Sequence, residues 1–200
     1  MNPKDYVKNV LVTEAREFAP LQERFSTVRS IRLLHGAIGL ASELAELREM
    51  DQKVDLDVVN LKEEMGDLCW YMGIMVSELG FDPESIFSLH PLYSAAGTEE
   101  QRRKDLSEHI DNLTIDIGNM VDLLKKNLMY GKDLNVDGIK EKLFNIGRQI
   151  EAALNVYEMT SSQSLERNIE KLRARYGEKF TEAAALERNL AAEREILEKK

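Results

Sequence analysis

Residues 61–79 read LKEEMGDLCWYMGIMVSEL, and the apolar side chains in this stretch recur at the spacing of an α-helix. Leucine or methionine occupies positions 61, 65, 68, 72, 75 and 79, which lie three or four residues apart. That period places them on one helix face. Residues 33–45 show the same period, and no stretch alternates apolar and polar residues long enough to predict a strand. The sequence therefore predicts an all-α protein folded as a helical bundle.

Proline, the residue that most reliably ends a helix, occurs only at positions 3, 20, 83 and 91. Long helices are therefore permitted, and the apolar pattern predicts them over residues 4–18, 21–50, 57–80, 99–128, 135–158, 164–176 and 182–198. Residues 88–97 form the least helical stretch and predict a connector near the middle of the chain. A length of 200 residues predicts one domain spanning 1–200.

The chain is acidic, with 27 lysines and arginines against 36 aspartates and glutamates and a formal net charge of −9. Such a field repels a phosphate backbone, so we expect no binding to duplex nucleic acid. The single cysteine excludes an internal disulfide, and the first residues lack a long apolar run, which together favour the cytoplasm. The longest run without a strongly polar residue, 68–76, is nine residues long, against about 20 needed to span a membrane.

Two pairs of carboxylates stand on neighbouring predicted helices. Glu43 and Glu46 are three residues apart, as are Glu64 and Asp67, so each pair projects from one helix face. The residues between the pairs suffice for a turn and an antiparallel return, which lets all four acids meet. Converging carboxylates repel one another unless a cation lies among them, and oxygen-only ligands suit Mg²⁺. The pattern therefore predicts a magnesium site, although a lone E-x-x-E is more typical of a solvated face.

The residues around these acids support close contact between the two helices. Each acidic pair precedes apolar residues at helical spacing, which places the acids at the edge of the buried stripe. Small residues that favour close approach of the helices are Gly36, Gly39, Ala41, Ala45 and Gly66. Glu49 and Glu63 lie off the axis of the pairs, and we expect them to be solvated and outside the site.

The two halves of the chain are similar to each other. Residues 40–47 align with 113–120, and residues 61–68 align with 139–146, with their apolar positions coinciding and most of their acids lost in the second half. We interpret this as an internally duplicated helical hairpin, with a metal-binding copy at 30–80 and a degenerate second copy within 108–178. Chance alignment of amphipathic helices is the alternative.

Three stretches carry a resemblance to a known family: HGAIGLASELAEL at 35–47, LKEEMGDLCWY at 61–71 and NIEKLRARYGEKF at 168–180. They resemble the MazG-like all-α nucleoside triphosphate pyrophosphohydrolases, which are related to the dimeric dUTPases. The resemblance implies cleavage of a nucleoside triphosphate between its α and β phosphates, which releases monophosphate and pyrophosphate with Mg²⁺ and serves nucleotide-pool housekeeping. It implies the metal ligands Glu43, Glu46, Glu64 and Asp67, and it implies a homodimer. Gly177 departs from a proline that is common in the family.

The basic stretch that the family commonly has after its first acidic pair is displaced in this chain. The matching residues, KKNLMYGK at 125–132, follow the weakened acids of the second copy. Our hypothesis is a composite site in which Lys126, Tyr130 and Lys132 from the second copy face the acids of the first. The alternative is that these lysines only complement the dipole at a helix C-terminus.

Further substrate-binding candidates lie near the acids and in the family-like tail. Asn168, Lys171 and Arg175 share one helical face that suits a triphosphate, which the tail resemblance favours over a solvated face. Tyr71 is placed to stack on a base, and His35 lies on the stripe that carries Glu43. For Trp70 we expect a place in the core, the ordinary position of a lone indole on an apolar helix.

Several alternatives stay open at this point. One alternative is a dUTPase or another pyrimidine-specific member of the same group. The other is a non-catalytic helical interaction protein with solvated acids. The amphipathic segment 182–200 either packs on a second chain or covers its own bundle.

Overall fold

A computed structural model describes residues 1–14, 16–87, 97–177, 179–187 and 189–198. Over these residues the chain is helical without any strand, so the all-α prediction is confirmed. The α-helices are α1 (Pro3–Thr13), α2 (Phe18–Phe25), α3 (Val28–Asp51), α4 (Val58–Leu79), α5 (Glu99–Tyr130), α6 (Val136–Val156), α7 (Ser161–Tyr176), α8 (Glu182–Leu186) and α9 (Leu190–Glu198), with a short 3-10 helix at Pro83–Ser85. None of the described helices has both the length and the apolar character that crossing a membrane requires.

Two helical hairpins form the centre of the bundle. Helix α3 packs against α4, α5 packs against α6, and α3 also packs along α5. Helix α7 lies on α4, and α9 lies on both α7 and α4. The apolar stripe of α4 that the sequence predicts is buried throughout its central turns, with Leu61, Met65, Leu68, Met72 and Met75 at most 1 % exposed.

The ends of these helices follow local capping chemistry. The Asp57 carboxylate accepts hydrogen bonds from the backbone N–H groups of Val59 and Asn60 at 3.1 and 3.2 Å, which starts α4. Gly80 and Gly131 end α4 and α5 with φ values of +67°, a left-handed conformation that glycine adopts at low cost. These caps set the length of both hairpins.

Some predicted boundaries are wrong. The predicted helix 21–50 is interrupted, because the Thr27 hydroxyl accepts from the Ser30 N–H at 3.0 Å and so caps a new helix. The predicted helix 182–198 is two helices, since Asn189 caps α9 through the Ala192 N–H at 3.2 Å. The first helix ends at Thr13 instead of residue 18. In the predicted connector 88–97, residues 88–96 lie outside the described residues.

The two hairpins bury the positions that the sequence aligns. Buried positions on α3 and their counterparts on α5 are Leu40, Leu44 and Leu47, and Leu113, Ile117 and Met120. Those on α4 and α6 are Leu61, Met65 and Leu68, and Ile139, Leu143 and Ile146. The duplication itself stays a hypothesis.

Candidate functional site

A cavity of about 660 Å³ opens between α3, α4, α7 and the C-terminal segment. Its walls combine carboxylates with aromatic rings and one guanidinium. The lining residues are His35, Glu43, Glu46, Asn60, Glu63, Glu64, Asp67, Trp70, Tyr71, Leu172, Arg175, Tyr176, Phe180, Ala185 and Leu190.

Three of the four predicted ligands converge in this cavity. One ligand atom from each of Glu43, Glu64 and Asp67 lies within 4.8 Å of the others. Glu64 is buried, with 5 % of its surface exposed, whereas Glu43 and Asp67 are partly buried. Glu46 lines the same cavity one turn along α3, but it is exposed and lies outside the converging group. The acids therefore meet as the i, i+3 spacing predicts, with Glu46 at the edge.

Two of these carboxyl groups share a proton. Burial, the hydrogen bond with Glu43 and the neighbouring negative charges raise the pKa of Glu64 from 4.5 to about 9. Burial also raises the pKa of Glu43, while its hydrogen bond with Glu64 acts in the opposite direction. At neutral pH a protonated Glu64 therefore donates a hydrogen bond to Glu43, because two ionised carboxylates in contact repel each other.

A fully buried lysine neutralises the other carboxylates of the group. The Lys171 side chain is 0 % exposed, and its Nζ lies 2.8 and 2.5 Å from the two Asp67 carboxylate oxygens and 3.1 Å from Glu63 Oε1. Asn168 Nδ2 also donates to Asp67 Oδ1 at 2.6 Å. The expectation that Glu63 is solvated and outside the site is therefore wrong. Helix α7 docks against α4 and brings Lys171 to Glu63, a contact that the sequence of α4 alone does not reveal.

Glycines permit these close contacts. A Cβ atom on Gly66 would come within 3.1 Å of Asn168 Cβ, so a side chain there would push α7 away from Asp67. A Cβ atom on Gly39 would overlap the Tyr71 ring, which packs directly on the α3 backbone. The expected close approach of α3 and α4 is confirmed at Gly36 and Gly39, whereas Gly66 faces α7 instead and Ala41 and Ala45 are exposed.

An aromatic cluster forms the wall beside the acids. The rings of His35, Trp70 and Tyr71 contact one another edge to face, with centroids 5.0 to 5.7 Å apart. Burial and the Glu43 charge raise the pKa of Tyr71. Trp70 is 36 % exposed and lines the cavity, so the expectation that it belongs to the core is wrong. The reason is that Trp70 points away from the apolar stripe of α4, beside the predicted candidates Tyr71 and His35.

The C-terminal segment covers the cavity of its own chain. Arg175 donates to both carboxylate oxygens of Glu193 at 2.9 and 2.5 Å, and the Glu193 side chain is only 4 % exposed. Arg194 of α9 lies 2.8 Å from Asp57, which ties α9 to the start of α4. Helix α9, at the end of this segment, thus packs on its own bundle. Sequence reasoning missed Glu193, because its burial depends on Arg175 of another helix and no local pattern reveals that pairing.

The predicted composite site does not form within one chain, so this prediction is corrected here for Lys126, Tyr130 and Lys132. Lys126 pairs with Asp122 on its own helix at 2.5 Å, and neither Lys126, Tyr130 nor Lys132 lines the carboxylate cavity. The C-terminal end of α5 instead lies against α2, where Arg24 Nε donates to the Leu128 carbonyl at 2.6 Å. The packing of α5 along α3 therefore does not carry these three residues to the acids.

The second hairpin carries a lysine where the first has its buried glutamate. In the sequence alignment Asp116 matches Glu43 and Lys142 matches Glu64. The Lys142 ammonium lies 3.4 Å from Asp116 Oδ1, and Asn145 Nδ2 lies at the same distance from that oxygen. The second hairpin thus pairs an acid, Asp116, with a lysine. At the equivalent positions the first hairpin pairs two carboxyl groups, Glu43 and Glu64.

The carboxylate cavity brings carboxylates, one guanidinium and aromatic rings together in one space. Comparison of the chain with models of protein families, with curated proteins and with solved structures finds no match. The interpretation of the cavity therefore rests on the chemistry of its own side chains.

Proposed function

We propose that the protein is a Mg²⁺-dependent nucleoside triphosphate pyrophosphohydrolase that acts on nucleotide pools in the cytoplasm, as a homodimer. It cleaves the bond between the α and β phosphates and releases nucleoside monophosphate and pyrophosphate. The observation that carries the proposal is the convergence of Glu43, Glu64 and Asp67 within 4.8 Å beside an aromatic wall in one cavity. A nucleotide with a bound cation offers a partner for each of these groups.

The donor set fits a hard divalent cation. All three converging groups are carboxylates, and Mg²⁺ prefers oxygen ligands while retaining several waters. Glu43, Glu64 and Asp67 would hold the ion, and Glu46 lies at the edge of the same cavity. The proton that Glu64 holds in the cation-free chain is the group that a cation would replace. When bound, Mg²⁺ would neutralise phosphate oxygens and make a neighbouring water more acidic.

The remaining side chains would bind and orient the substrate. Arg175 would donate to phosphate oxygens, exchanging its bidentate pair with Glu193 for a bidentate pair with phosphate. Trp70 and Tyr71 would contact the base, since aromatic faces stack on nucleobases. Lys171 acts through Asp67, because its buried ammonium holds both carboxylate oxygens in place.

A carboxylate of the cavity that keeps one oxygen free of the ion would accept the proton of an attacking water, since a positioned carboxylate can act as a general base. The C-terminal segment would keep bulk water from the reacting groups through Phe180, Ala185 and Leu190.

The test is turnover of a panel of ribo- and deoxyribonucleoside triphosphates, including dUTP, with Mg²⁺ and with EDTA. Products are resolved by chromatography, which identifies the bond that is cleaved and the base that is preferred. We expect monophosphate and pyrophosphate in equal amounts with Mg²⁺ and neither with EDTA. Release from dUTP alone would select the pyrimidine-specific alternative.

A matched pair of variants separates the site from the rest of α3. Glu43→Gln removes a proposed ligand, and Glu49→Gln removes an exposed glutamate from the same helix. We expect at least a hundredfold loss of kcat/KM for the first variant and no change for the second. Absence of turnover of every nucleotide by the folded wild-type chain would overturn the proposal and favour a non-catalytic helical protein.

A further inference from the structure

The Lys171 ammonium reaches the acidic cluster from behind, on the side of Asp67 that faces α7. Lys171 and Asn168 both donate to Asp67, yet neither residue lines the carboxylate cavity. The two residues are 0 % and 4 % exposed, so water screens their contacts with Asp67 very little. Asp67 therefore has an open side toward the cavity and a closed side, which α7 fills with a positive charge.

The hydrogen-bond donors of Lys171 are all used inside the protein. An ammonium carries three N–H donors. Lys171 Nζ lies 2.8 and 2.5 Å from the two Asp67 oxygens and 3.1 Å from Glu63 Oε1. These contacts leave no donor for a phosphate oxygen, so the charge of Lys171 acts on the carboxylates alone.

The same contacts limit what Asp67 can offer to a metal ion. An ionised carboxylate has about four lone pairs on its two oxygens. Oδ1 accepts from Asn168 Nδ2 at 2.6 Å and from Lys171 Nζ at 2.8 Å, and Oδ2 accepts from Lys171 Nζ at 2.5 Å. One lone pair therefore remains, on Oδ2. It allows Asp67 to bind one ion through one oxygen and prevents it from bridging two ions.

A second divalent ion would need carboxylate oxygens of its own, because two ions about 4 Å apart repel each other strongly. On the closed side, the Lys171 ammonium already lies between Glu63 and Asp67, where such an ion would bind. On the open side, Glu46 is exposed and lies outside the group that converges within 4.8 Å. The converging carboxylates among the described residues thus provide ligands for one ion.

We propose that the cavity binds a single divalent cation in the absence of nucleotide, because the Lys171 ammonium occupies the place of a second. This count rests on the magnesium site of the proposed function and adds the number of ions that the site holds. Lys171 supplies one fixed charge beside Asp67 and Glu63, where a second ion would supply two. The site thus differs from two-ion centres, in which a pair of metal ions clamps the attacking and leaving oxygens.

The test is the number of Mn²⁺ ions that the full-length chain binds without nucleotide, measured by electron paramagnetic resonance. Mn²⁺ accepts the same oxygen ligands as Mg²⁺ and is paramagnetic. Free Mn²⁺ gives a sharp six-line signal, so the loss of that signal counts the bound ions. Two ions about 4 Å apart give a separate, spin-coupled spectrum.

Two variants separate the ammonium from the other donor to Asp67. Lys171→Ala removes the charge and leaves space beside Asp67 and Glu63. The matched control is Asn168→Ala, which removes a hydrogen bond to Asp67 and keeps the ammonium. Circular dichroism verifies that each variant is folded.

We expect one Mn²⁺ per chain for the wild type and for Asn168→Ala, and two spin-coupled ions for Lys171→Ala. Two ions in the wild type would overturn the proposal, as would one ion in folded Lys171→Ala or two ions in Asn168→Ala. If Lys171→Ala does not fold, the wild-type count decides: one ion supports the proposal and two overturn it.

The ion count and the proposed function fail in different ways. A wild-type chain that binds no Mn²⁺ would overturn the metal site itself, and the single-ion proposal with it. One bound ion without turnover of any nucleotide would overturn the hydrolase function and leave the single-ion proposal supported.

Discussion

At the scale of single residues, Lys171 is the cation on which the acidic cluster depends in the absence of metal. Its ammonium is fully buried and contacts both Asp67 oxygens and Glu63. Removing one partner from such an arrangement leaves the other charges buried without compensation. The lysine therefore contributes to stability as well as to the geometry of the site.

Lys171→Met tests this contribution, because it keeps the length of the side chain and removes its charge. We expect the free energy of unfolding, measured by urea denaturation in EDTA, to fall by about 3 kcal/mol. The matched control is Arg173→Met, which removes an exposed cation from the same helix and is expected to change stability by less than about 0.5 kcal/mol. Equal stability of the two variants would contradict the assigned role of Lys171.

Glu64 makes the stability of the cation-free chain depend on pH. Its carboxyl has an ordinary pKa of 4.5 and a pKa of about 9 in the folded chain. Since the folded chain binds this proton more tightly than the unfolded chain, the stability that Glu64 contributes is greatest below pH 4.5, falls as the pH rises, and stops falling near pH 9. In EDTA we expect Glu64→Gln to reduce the fall in stability between pH 6 and pH 8.

Glu49→Gln is the control for this titration, because Glu49 is exposed on α3. Urea denaturation at several pH values should give the wild-type slope for Glu49→Gln and a shallower slope for Glu64→Gln. If Glu64→Gln retained the full slope, the buried proton would have to reside on another group.

At the scale of elements, the two hairpins differ in the charges that they bring together, and the proposed metal site belongs only to the first. Lys142 provides a cation beside Asp116 in the second hairpin, whereas Glu64 stands beside Glu43 in the first. The same packing thus supports two opposite charge arrangements. A single substitution should convert the second arrangement toward the first.

Lys142→Glu makes that conversion by removing the ion pair and adding a carboxylate beside Asp116. We expect the melting temperature to fall in EDTA by several degrees and to recover partly when millimolar Mg²⁺ or Mn²⁺ is added. Arg148→Glu on the same helix is the control, because Arg148 is exposed. A loss of stability that is identical with and without divalent cations would show that the second hairpin cannot hold an ion.

Individual helices are the part of this fold that the sequence predicts well. The apolar period of residues 61–79 identifies α4, because the leucines and methionines of that period, Leu61, Met65, Leu68, Met72 and Met75, are at most 1 % exposed. The apolar period does not predict the break before α3, because apolar residues continue on both sides of Thr27. A single hydroxyl, that of Thr27, starts the new helix. Periodicity reports burial, whereas helix ends depend on individual hydrogen bonds.

At the scale of the whole molecule, the candidate site depends on how α7 and α9 dock on the first hairpin. The i, i+3 spacing predicts that Glu43, Glu64 and Asp67 meet, because the three residues lie on facing sides of two helices that are adjacent in sequence. The ion pairs of Glu63 with Lys171 and of Arg175 with Glu193 join residues far apart in the chain. No local pattern encodes these distances, so Glu63 and Glu193 were missed.

In the chain without substrate, Arg175 is paired with Glu193, which belongs to the C-terminal segment that covers the cavity. If Arg175 transfers to the triphosphate, breaking this pair opposes substrate binding. Glu193→Gln removes the competing charge, so we expect KM for the preferred nucleotide to fall about five- to tenfold, equivalent to about 1 kcal/mol. Arg194→Gln is the control, since it releases α9 from Asp57 without touching Arg175. A lower KM in both variants would assign the effect to a loosened cover, whereas a lower KM in Glu193→Gln alone would assign it to the freed guanidinium.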